Sequence, residues 1–470
     1  MRALVARIPP ALVIVIGLGV ILRVLVWIAV SPTETNLLDA GVYVGMADDG
    51  LFTDPVRPAG YSMFLRAAHA ISAEIGWTMF LQNAIGIATA CVLYAAVRRI
   101  GGPLWAAIVG AAAILLSLDQ IYLEHIFLSD CLFTFLLVTT LYLAVRALDE
   151  PRPVWRAADS RHLWLLGAGA CLGLAAWVRG VAAPLTPFLA LWVVFAIPGP
   201  WLQRIGRAAI VAAASAALVL TYFALDDHAT GTFGLTRVSG RVLYGRVAPF
   251  ADCSQFDPPA GTSVLCEQTP PDQRPGPDFY SWDARSVAVQ RFGLDPSDDA
   301  KLGKFARTAA LAQPGDYAEA VAKDFLRNFI PGYNDERPYG GTGYEFVRVD
   351  FPDVNAADTY SRITDYYDPE PYVIRGLAGT VGDVQAHLHV SQLMMLIATV
   401  LAGAGIWLAP DRRTRAGIAL LLGVSLLAIF IPPLTINYGA RYAIPIGGPI
   451  IAAGALGLWV VLRRRAQTRS

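Results

Sequence analysis

Five carboxylates crowd the early part of the chain: Glu34, Asp39, Asp48, Asp49 and Asp54, in and around LLDAGVYVGMADDG (37–50). Loop carboxylates are ordinarily solvated charge, and Glu34, Asp48, Asp49 and Asp54 fit that reading. Asp39 differs, because Leu38, Val42 and Met46, with Tyr43, recur around it at helical spacing. That predicts a short amphipathic helix lying on a membrane surface, where a fixed carboxylate can take a proton from a hydroxyl as general base. Farther on, SLDQIYLEHIFLSD places Asp119, Glu124 and Asp130 at the edge of apolar runs, and Asp130 opens CLFTFLLVTTLYLAV. An ionisable group at that depth is costly and marks function; the alternative for Asp130 is a helix N-cap. Arg179 follows LGLAAWV and Arg441 sits in NYGARYAIP, both at apolar edges. Snorkelling accounts for such arginines. So does phosphate binding, since the guanidinium fork pairs bidentately with phosphate oxygens. Arg23, inside the first apolar run, is expected to face the interior and a carboxylate. His125 reads as a partner or surface residue rather than a metal ligand. His387 and His389 fall on different helix faces, so a shared metal is not expected. No P-loop, dinucleotide fingerprint, Gly-x-Ser-x-Gly or His-Glu-x-x-His occurs.

The elements that must carry these residues are membrane helices. Of 470 residues, 55% are hydrophobic and only 16% charged, with mean hydropathy +0.48. Ten apolar windows approach bilayer-spanning length: 11–31, 77–97, 104–120, 128–146, 163–178, 182–198, 207–225, 389–409, 416–432 and 443–462. The first has no small-x-small cleavage site after it and reads as a retained helix. Net charge is zero, so there is no bulk signal for nucleic acid. Arginines gather in alternate connections: Arg2, Arg7, Arg98, Arg99, Arg146, Arg152, Arg156, Arg161, Arg204, Arg207, Arg412, Arg413, Arg415 and the terminal Arg463, Arg464, Arg465 and Arg469. The opposite short connections hold Arg57, Arg66, Arg179 and Arg441. The positive-inside rule puts both termini in the cytoplasm and the candidate residues outside. The fold class expected is an all-α polytopic membrane protein of about ten helices with interfacial amphipathic helices. Its parts are a transmembrane half, 1–225, with a first outer loop at 32–76; an extracytoplasmic segment, 226–388, between helices seven and eight; and C-terminal helices, 389–470. Within the first loop, DPVRPAGYSMFLRAAHA predicts a second interfacial helix at 61–70. Within the large segment, 285–292 and 316–329 read as amphipathic helices. Cys253 and Cys266 bracket SQFDPPAGTSVL there, a spacing that suits a disulfide in an oxidising compartment.

The order of motifs resembles a family. An Asp on the first outer loop precedes RPAGYSMFL; then come LEHIFLSDCLFTFLL, GLAAWVRG and finally RYAIPIGGPIIAAGALGL. This looks like the glycosyltransferase-C superfamily, and within it the bacterial polyprenyl-phosphate-sugar-dependent enzymes related to protein O-mannosyltransferases and the lipid A aminoarabinose transferase. The resemblance covers the first six spans and the last; 226–385 matches in position only. It implies an inverting transferase that moves a hexosyl or pentosyl group from a polyprenyl-phosphate donor to an acceptor hydroxyl on the outer face of the cytoplasmic membrane. It implies Asp39 and Asp130 as catalytic acids, Asp130 standing where the family often has Glu. Arg57, Arg179 and Arg441 would contact the donor phosphate, and Tyr43, Tyr61, Glu124 and His125 would line the cavity. Many relatives carry adjacent acids in the first loop. Asp39 is followed by Ala40, so no metal site and no cofactor is expected, although a divalent cation stays open.

Two other classes fit a helical bundle with buried charge. A flippase or transporter would carry its ionisable residues at the midplane and show two repeated halves; here charges gather at the outer edge and no repeat is visible. A ligase or polymerase would move whole glycans from the carrier. The sugar stays open, as does the acceptor: protein, lipid or cell-wall glycan.

Overall fold

The structure of the chain, a computed structural model, describes residues 9–31, 38–151, 153–155, 158–331, 354–369, 372–373 and 375–467. In chain order the helices are α1 (Pro10–Ala29), α2 (Leu38–Asp48), α3 (Gly60–His69), α4 (Ile75–Ile100), α5 (Leu104–Leu115), α6 (Leu118–Glu124), α7 (Asp130–Arg146), α8 (Ser160–Val178), α9 (Leu185–Ala196) and α10 (Trp201–Thr230). Then follow α11 (Ser239–Val247), α12 (Pro277–Trp282), α13 (Val287–Phe292), α14 (Asp299–Ala312), α15 (Pro314–Leu326), α16 (Val354–Tyr366), α17 (Arg375–Gln385), α18 (Gln392–Leu408), α19 (Arg412–Thr435) and α20 (Ile444–Gln467). Among the described residues strands are confined to two-residue and three-residue pieces, such as Val30–Ser31 paired antiparallel with Tyr372–Val373. The protein is an all-α polytopic membrane protein. Among the described residues six helices, α1, α4, α8, α10, α19 and α20, are long and apolar enough to cross a bilayer. The pair α5 and α6 passes the same test but bends by 52° at Leu116–Ser117. Gly180–Ala196 and α18 are shorter apolar helices, and α7 carries the fourth window. Each of the ten windows therefore falls on a helix, four of them on helices that are short or bent. On α1, Val13, Ile14, Leu18, Ile21 and Leu25 face outward, as a lipid-facing helix requires.

Small residues let the helices close up. A Cβ on Gly457 of α20 would lie 2.0 Å from the Leu401 carbonyl oxygen of α18, so only glycine allows that crossing. α10 runs to Thr230, past the boundary expected at 225. Beyond it, α11 and α14 pack around their own small core of Tyr244, Val247, Leu302, Phe305 and Ala309. Cys253 and Cys266 form a disulfide there, with Cα atoms 5.8 Å apart. α16 and α17 do not join that core. They pack against α2, α1 and α6, so the described part of 226–388 divides between a small folded unit and two helices belonging to the main bundle.

The two ends of the bundle differ in charge. Asp149, just past α7, receives Arg413 at 2.6 Å, Arg146 at 3.0 Å and Arg99 at 3.1 Å. Asp130 opens the same helix, so about 25 Å of helix separates it from that arginine cluster.

Between the ends lies one buried ion pair. Arg23 Nε donates to Glu124 Oε2 at 2.7 Å and Nη2 to Oε1 at 2.9 Å, while Nη1 donates to the Gly19 and Leu115 carbonyls at 3.0 Å. Glu124 is wholly enclosed, and a Cβ on Gly86 would sit 2.0 Å from its Oε1. Arg23 thus faces a carboxylate, and the bend after α5 frees the Leu115 carbonyl that helps hold it. Breaking such a pair leaves an uncompensated buried charge. Glu124→Ala is expected to destabilise the detergent-solubilised protein by about 3–5 kcal/mol. Thermal unfolding checks this, with Arg23→Leu/Glu124→Leu recovering most of the loss.

Candidate functional site

The residues singled out at the apolar edges converge at the end of the bundle opposite the arginine cluster. Asp39 lies in the first turn of α2. That helix is held in place from three sides: the Tyr43 hydroxyl donates to Ser129 Oγ at 3.1 Å, Ser62 Oγ to the Tyr43 carbonyl at 2.8 Å, and Arg66 Nε to the Ala47 carbonyl at 2.8 Å. Arg57 follows a rigid loop. Asp54 Oδ1 accepts the Val56 and Arg57 N–H groups at 2.9 and 2.6 Å, an Asx-type turn. Phe52 takes φ 72, unusual for a bulky side chain. The segment after α10 holds the loop there, because Arg237 Nη2 donates to the Phe52 carbonyl at 2.8 Å and the Arg237 N–H to the Pro55 carbonyl at 2.8 Å. Asp130 is the first residue of α7 and is fully buried. Arg179 ends α8 and turns across it, its guanidinium 5.0 Å from the Tyr442 ring centre and 5.7 Å from that of Phe133. Arg441 sits in the single turn Ala440–Tyr442 ahead of α20.

These side chains form one alternating row. Arg57 Nη2 donates to Asp39 Oδ1, and Arg441 Nη1 donates to Asp39 Oδ2 at 2.6 Å. Arg441 Nε then donates to Asp130 Oδ2 at 2.7 Å, and Arg179 Nη1 to Asp130 Oδ1. Asp54 closes the near end, 3.4 Å from Arg57 Nη1. Burial alone would raise the Asp39 carboxyl, but the two arginines outweigh it and hold the group well below the usual carboxylate range. Arg57, against its own burial, is held more firmly charged by Asp39 and Asp54. Three arginines against two aspartates leave an excess positive charge along the central row. Asp39 keeps about 30% of its side chain open, against none for Asp130. Asp39 is therefore the more accessible of the two acids, while Asp130 is enclosed between Arg179 and Arg441.

The other expected residues stand behind this row. Tyr61 is buried and donates to Gln82 Oε1 at 2.7 Å; Tyr43 is buried against it, ring centres 5.0 Å apart. They form the floor beneath α2. Glu124 and His125, expected along the cavity, are fully enclosed and turned into the bundle: Glu124 meets Arg23, and His125 Nδ1 lies 3.0 Å from the Ile121 carbonyl. Asp119 meets Gln385 Nε2 at 2.9 Å instead of the row. A residue with no sequence signal joins the site from the small unit around α11 and α14. Asp278 of α12 bonds to the Asn437 side chain and stands near enough to Asp39 for their charges to repel; burial first, then that repulsion, lift its carboxyl. It is a single acid in a Pro-rich stretch, which neither spacing nor hydropathy distinguishes. Among the described residues no group of three His, Cys, Asp or Glu side chains is placed to hold a metal. Beside the Arg441 turn opens a cavity of about 450 Å³, lined by Tyr438, Ala440, Ala443, Ser117 and His389 among others.

Comparison with solved structures places the architecture. The apo oligosaccharyltransferase of Archaeoglobus fulgidus superposes with TM-score 0.51 at 15% identity, covering 98% of this chain and 51% of that one. The protein has the GT-C fold. The chain spans about half the length of that enzyme. A second structure of the archaeal enzyme, with an inhibitory peptide and a dolichol-phosphate, gives TM-score 0.48 at 13% identity over 98% of this chain and 51% of that one. ArnT from Cupriavidus metallidurans bound to undecaprenyl phosphate gives 0.37 at 14% identity over 96% and 77%. No protein-family model and no curated protein matches the sequence.

Proposed function

We propose that this GT-C protein is an inverting glycosyltransferase. It takes a sugar from a polyprenyl-phosphate donor at the outer face of the cytoplasmic membrane and passes it to an acceptor hydroxyl. The observation that carries the reading is the row Arg57–Asp39–Arg441–Asp130–Arg179, at the end of the bundle away from the Asp149 arginine cluster. A membrane chain keeps such charges only where they act. The donor phosphate sits against Arg57 and Arg441, and its sugar occupies the cavity beside the Arg441 turn. Asp39 takes the proton of the acceptor hydroxyl. The acceptor oxygen bonds to the anomeric carbon from the face away from the phosphate. The carbon–oxygen bond to phosphate breaks, and its electron pair leaves with the polyprenyl phosphate, whose charge the arginines stabilise. Asp130 contacts neither substrate; it positions Arg179 and Arg441. In this reading the Asp149 end is cytoplasmic, consistent with the arginine-rich connections.

The test is transfer in vitro. Purified protein is incubated with radiolabelled polyprenyl-phosphate sugars and a host membrane extract. Label is expected to move from lipid to a new product, whose nature identifies the acceptor. No transfer from any donor, with lipid carried across a vesicle instead, overturns the reading in favour of a flippase.

A further inference from the structure

A second, smaller cavity borders α2. It holds about 310 Å³ between α2, α16 and the loop around Thr53–Pro55, at the small end of the roughly 300–1,000 Å³ usual for ligand pockets. Two glycines of the opening stretch create it. A Cβ on Gly41 would stand 2.9 Å from Thr359 Cα, and one on Gly45 would stand 2.7 Å from Arg362 Nη1. α16 therefore lies directly on the helix that carries Asp39.

The lining is mixed in a specific way. Asp49 and Asp54 offer acceptors, and Arg362, 3.6 Å from Asp49 Oδ2, offers donors. Thr359 is almost wholly buried, yet its hydroxyl has no hydrogen-bond partner among the described residues. A buried hydroxyl left unmatched is costly unless something fills the site. Val42 and Pro55 add an apolar patch. Asp54 reaches Arg57 only at 3.4 Å, and Arg57 in turn holds Asp39. The cavity is thus one arginine away from the proposed base.

Among the described residues two acids against one arginine line the cavity, a balance that repels a phosphate, and Arg362 repels a metal ion. The lining is too polar for an acyl chain. Paired hydroxyls on a ring with a C–H face match all of it: carboxylates accept from neighbouring hydroxyls, the guanidinium donates, Thr359 donates or accepts, and Val42 and Pro55 take the ring face.

We propose that this cavity is a saccharide subsite, and that the acceptor is a glycan whose end residue sits between α2 and α16 and presents a hydroxyl to Asp39. The acceptor assignment rests on the transferase reading; the binding of a saccharide does not.

The experiment uses the full chain in nanodiscs. Methyl glycosides of mannose, galactose and arabinofuranose are titrated by saturation-transfer NMR against wild type, Arg362→Ala and Thr359→Val, with polyprenyl-phosphate binding measured in parallel. Saturable glycoside binding is expected. Arg362→Ala should weaken it about tenfold or more and Thr359→Val severalfold, with lipid-phosphate binding unchanged within twofold. If Arg362→Ala loses lipid-phosphate binding as well, the near-isosteric Thr359→Val decides. No saturable binding of any glycoside to wild type, or binding indifferent to both substitutions, overturns the proposal. Glycoside binding that depends on Arg362, in a protein that transfers nothing, would defeat the transferase reading alone. Transfer with acceptor KM unchanged in both variants would defeat the subsite alone.

Discussion

Asp39→Asn should lower kcat by about 10²–10⁴-fold, the usual contribution of a positioned base, with the donor still bound. Asparagine preserves shape and can still accept a hydrogen bond from Arg57 or Arg441, but it cannot take a proton. The variant also removes the one negative charge between those two arginines, so donor affinity should hold or rise. That split separates a base from a mere anchor, since an anchor lost would weaken the donor too. The pH dependence follows from the same contacts. Burial would raise Asp39, yet Arg57 and Arg441 depress it below its ordinary value. A depressed carboxyl stabilises the fold above its unfolded pKa, and that contribution is lost as pH falls through the lower folded value. Within the ordinary carboxylate range the resting enzyme thus keeps Asp39 ionised. A base held so acidic is weak. When the donor phosphate draws both arginines toward itself, Asp39 regains basicity, so its proton uptake should move to higher pH in the donor complex than in the free protein. Titration of the Asp39 carboxyl by NMR, with and without polyprenyl phosphate, checks this. A well-folded Asp39→Asn enzyme with wild-type kcat would remove Asp39 from the chemistry.

Much of this site was legible because a bilayer penalises charge. Asp130, Arg179 and Arg441 stand out at the ends of apolar runs, where any ionisable residue calls for a reason; Asp39 stands out on its amphipathic stretch, and Arg57 through the family resemblance. Hydropathy also locates the helices that carry them, although α5 and α6 share one apolar window and bend apart after Leu115. What hydropathy does not contain is the pairing. Arg441 meets Asp39 across 402 positions and Asp130 across 311, and helical periodicity gives a face without naming the neighbour. The same limit explains Glu124 and His125. Their place at an apolar edge pointed to the cavity, but α6 turns both into the bundle, where Arg23 waits on α1. Asp278 was invisible for a different reason: the fold of the small unit around α11 and α14 alone brings α12 over the site. Gly245 of α11 makes that approach possible, since a Cβ there would lie 2.8 Å from the Pro277 carbonyl. The segment 226–388 read as one region because its composition is uniform, whereas α16 and α17 leave the small core and pack on the bundle.

Arg441→Ala should weaken polyprenyl-phosphate binding by about ten- to a hundredfold, the worth of a charge-assisted hydrogen bond of about 1.5–3 kcal/mol. Among the described residues Arg441 is the one that bonds to both acids, with Nη1 on Asp39 and Nε on Asp130. Its loss has three consequences that can be told apart. The phosphate loses a donor, which raises the donor Kd. Asp39 keeps Arg57 but loses one of the two arginines that depress it, so its pKa climbs toward the ordinary range. Asp130 keeps Arg179, so the head of α7 stays paired and the fold should survive. Arg441→Lys restores the charge without the fork: a lysine can serve Asp39 or Asp130 at one time, not both. It should therefore recover part of the donor affinity while leaving kcat low. Calorimetry with polyprenyl phosphate reads the first effect and NMR of Asp39 the second. Donor affinity unchanged in Arg441→Ala would take Arg441 out of the phosphate site. The row would then be a structural clasp joining α2, α7, α8 and α20, and the donor would have to be held by Arg57 alone. Affinity lost in both Arg441→Ala and Arg441→Lys, with Asp39 titrating unchanged, would show that the turn ahead of α20 matters for its shape instead of its charge.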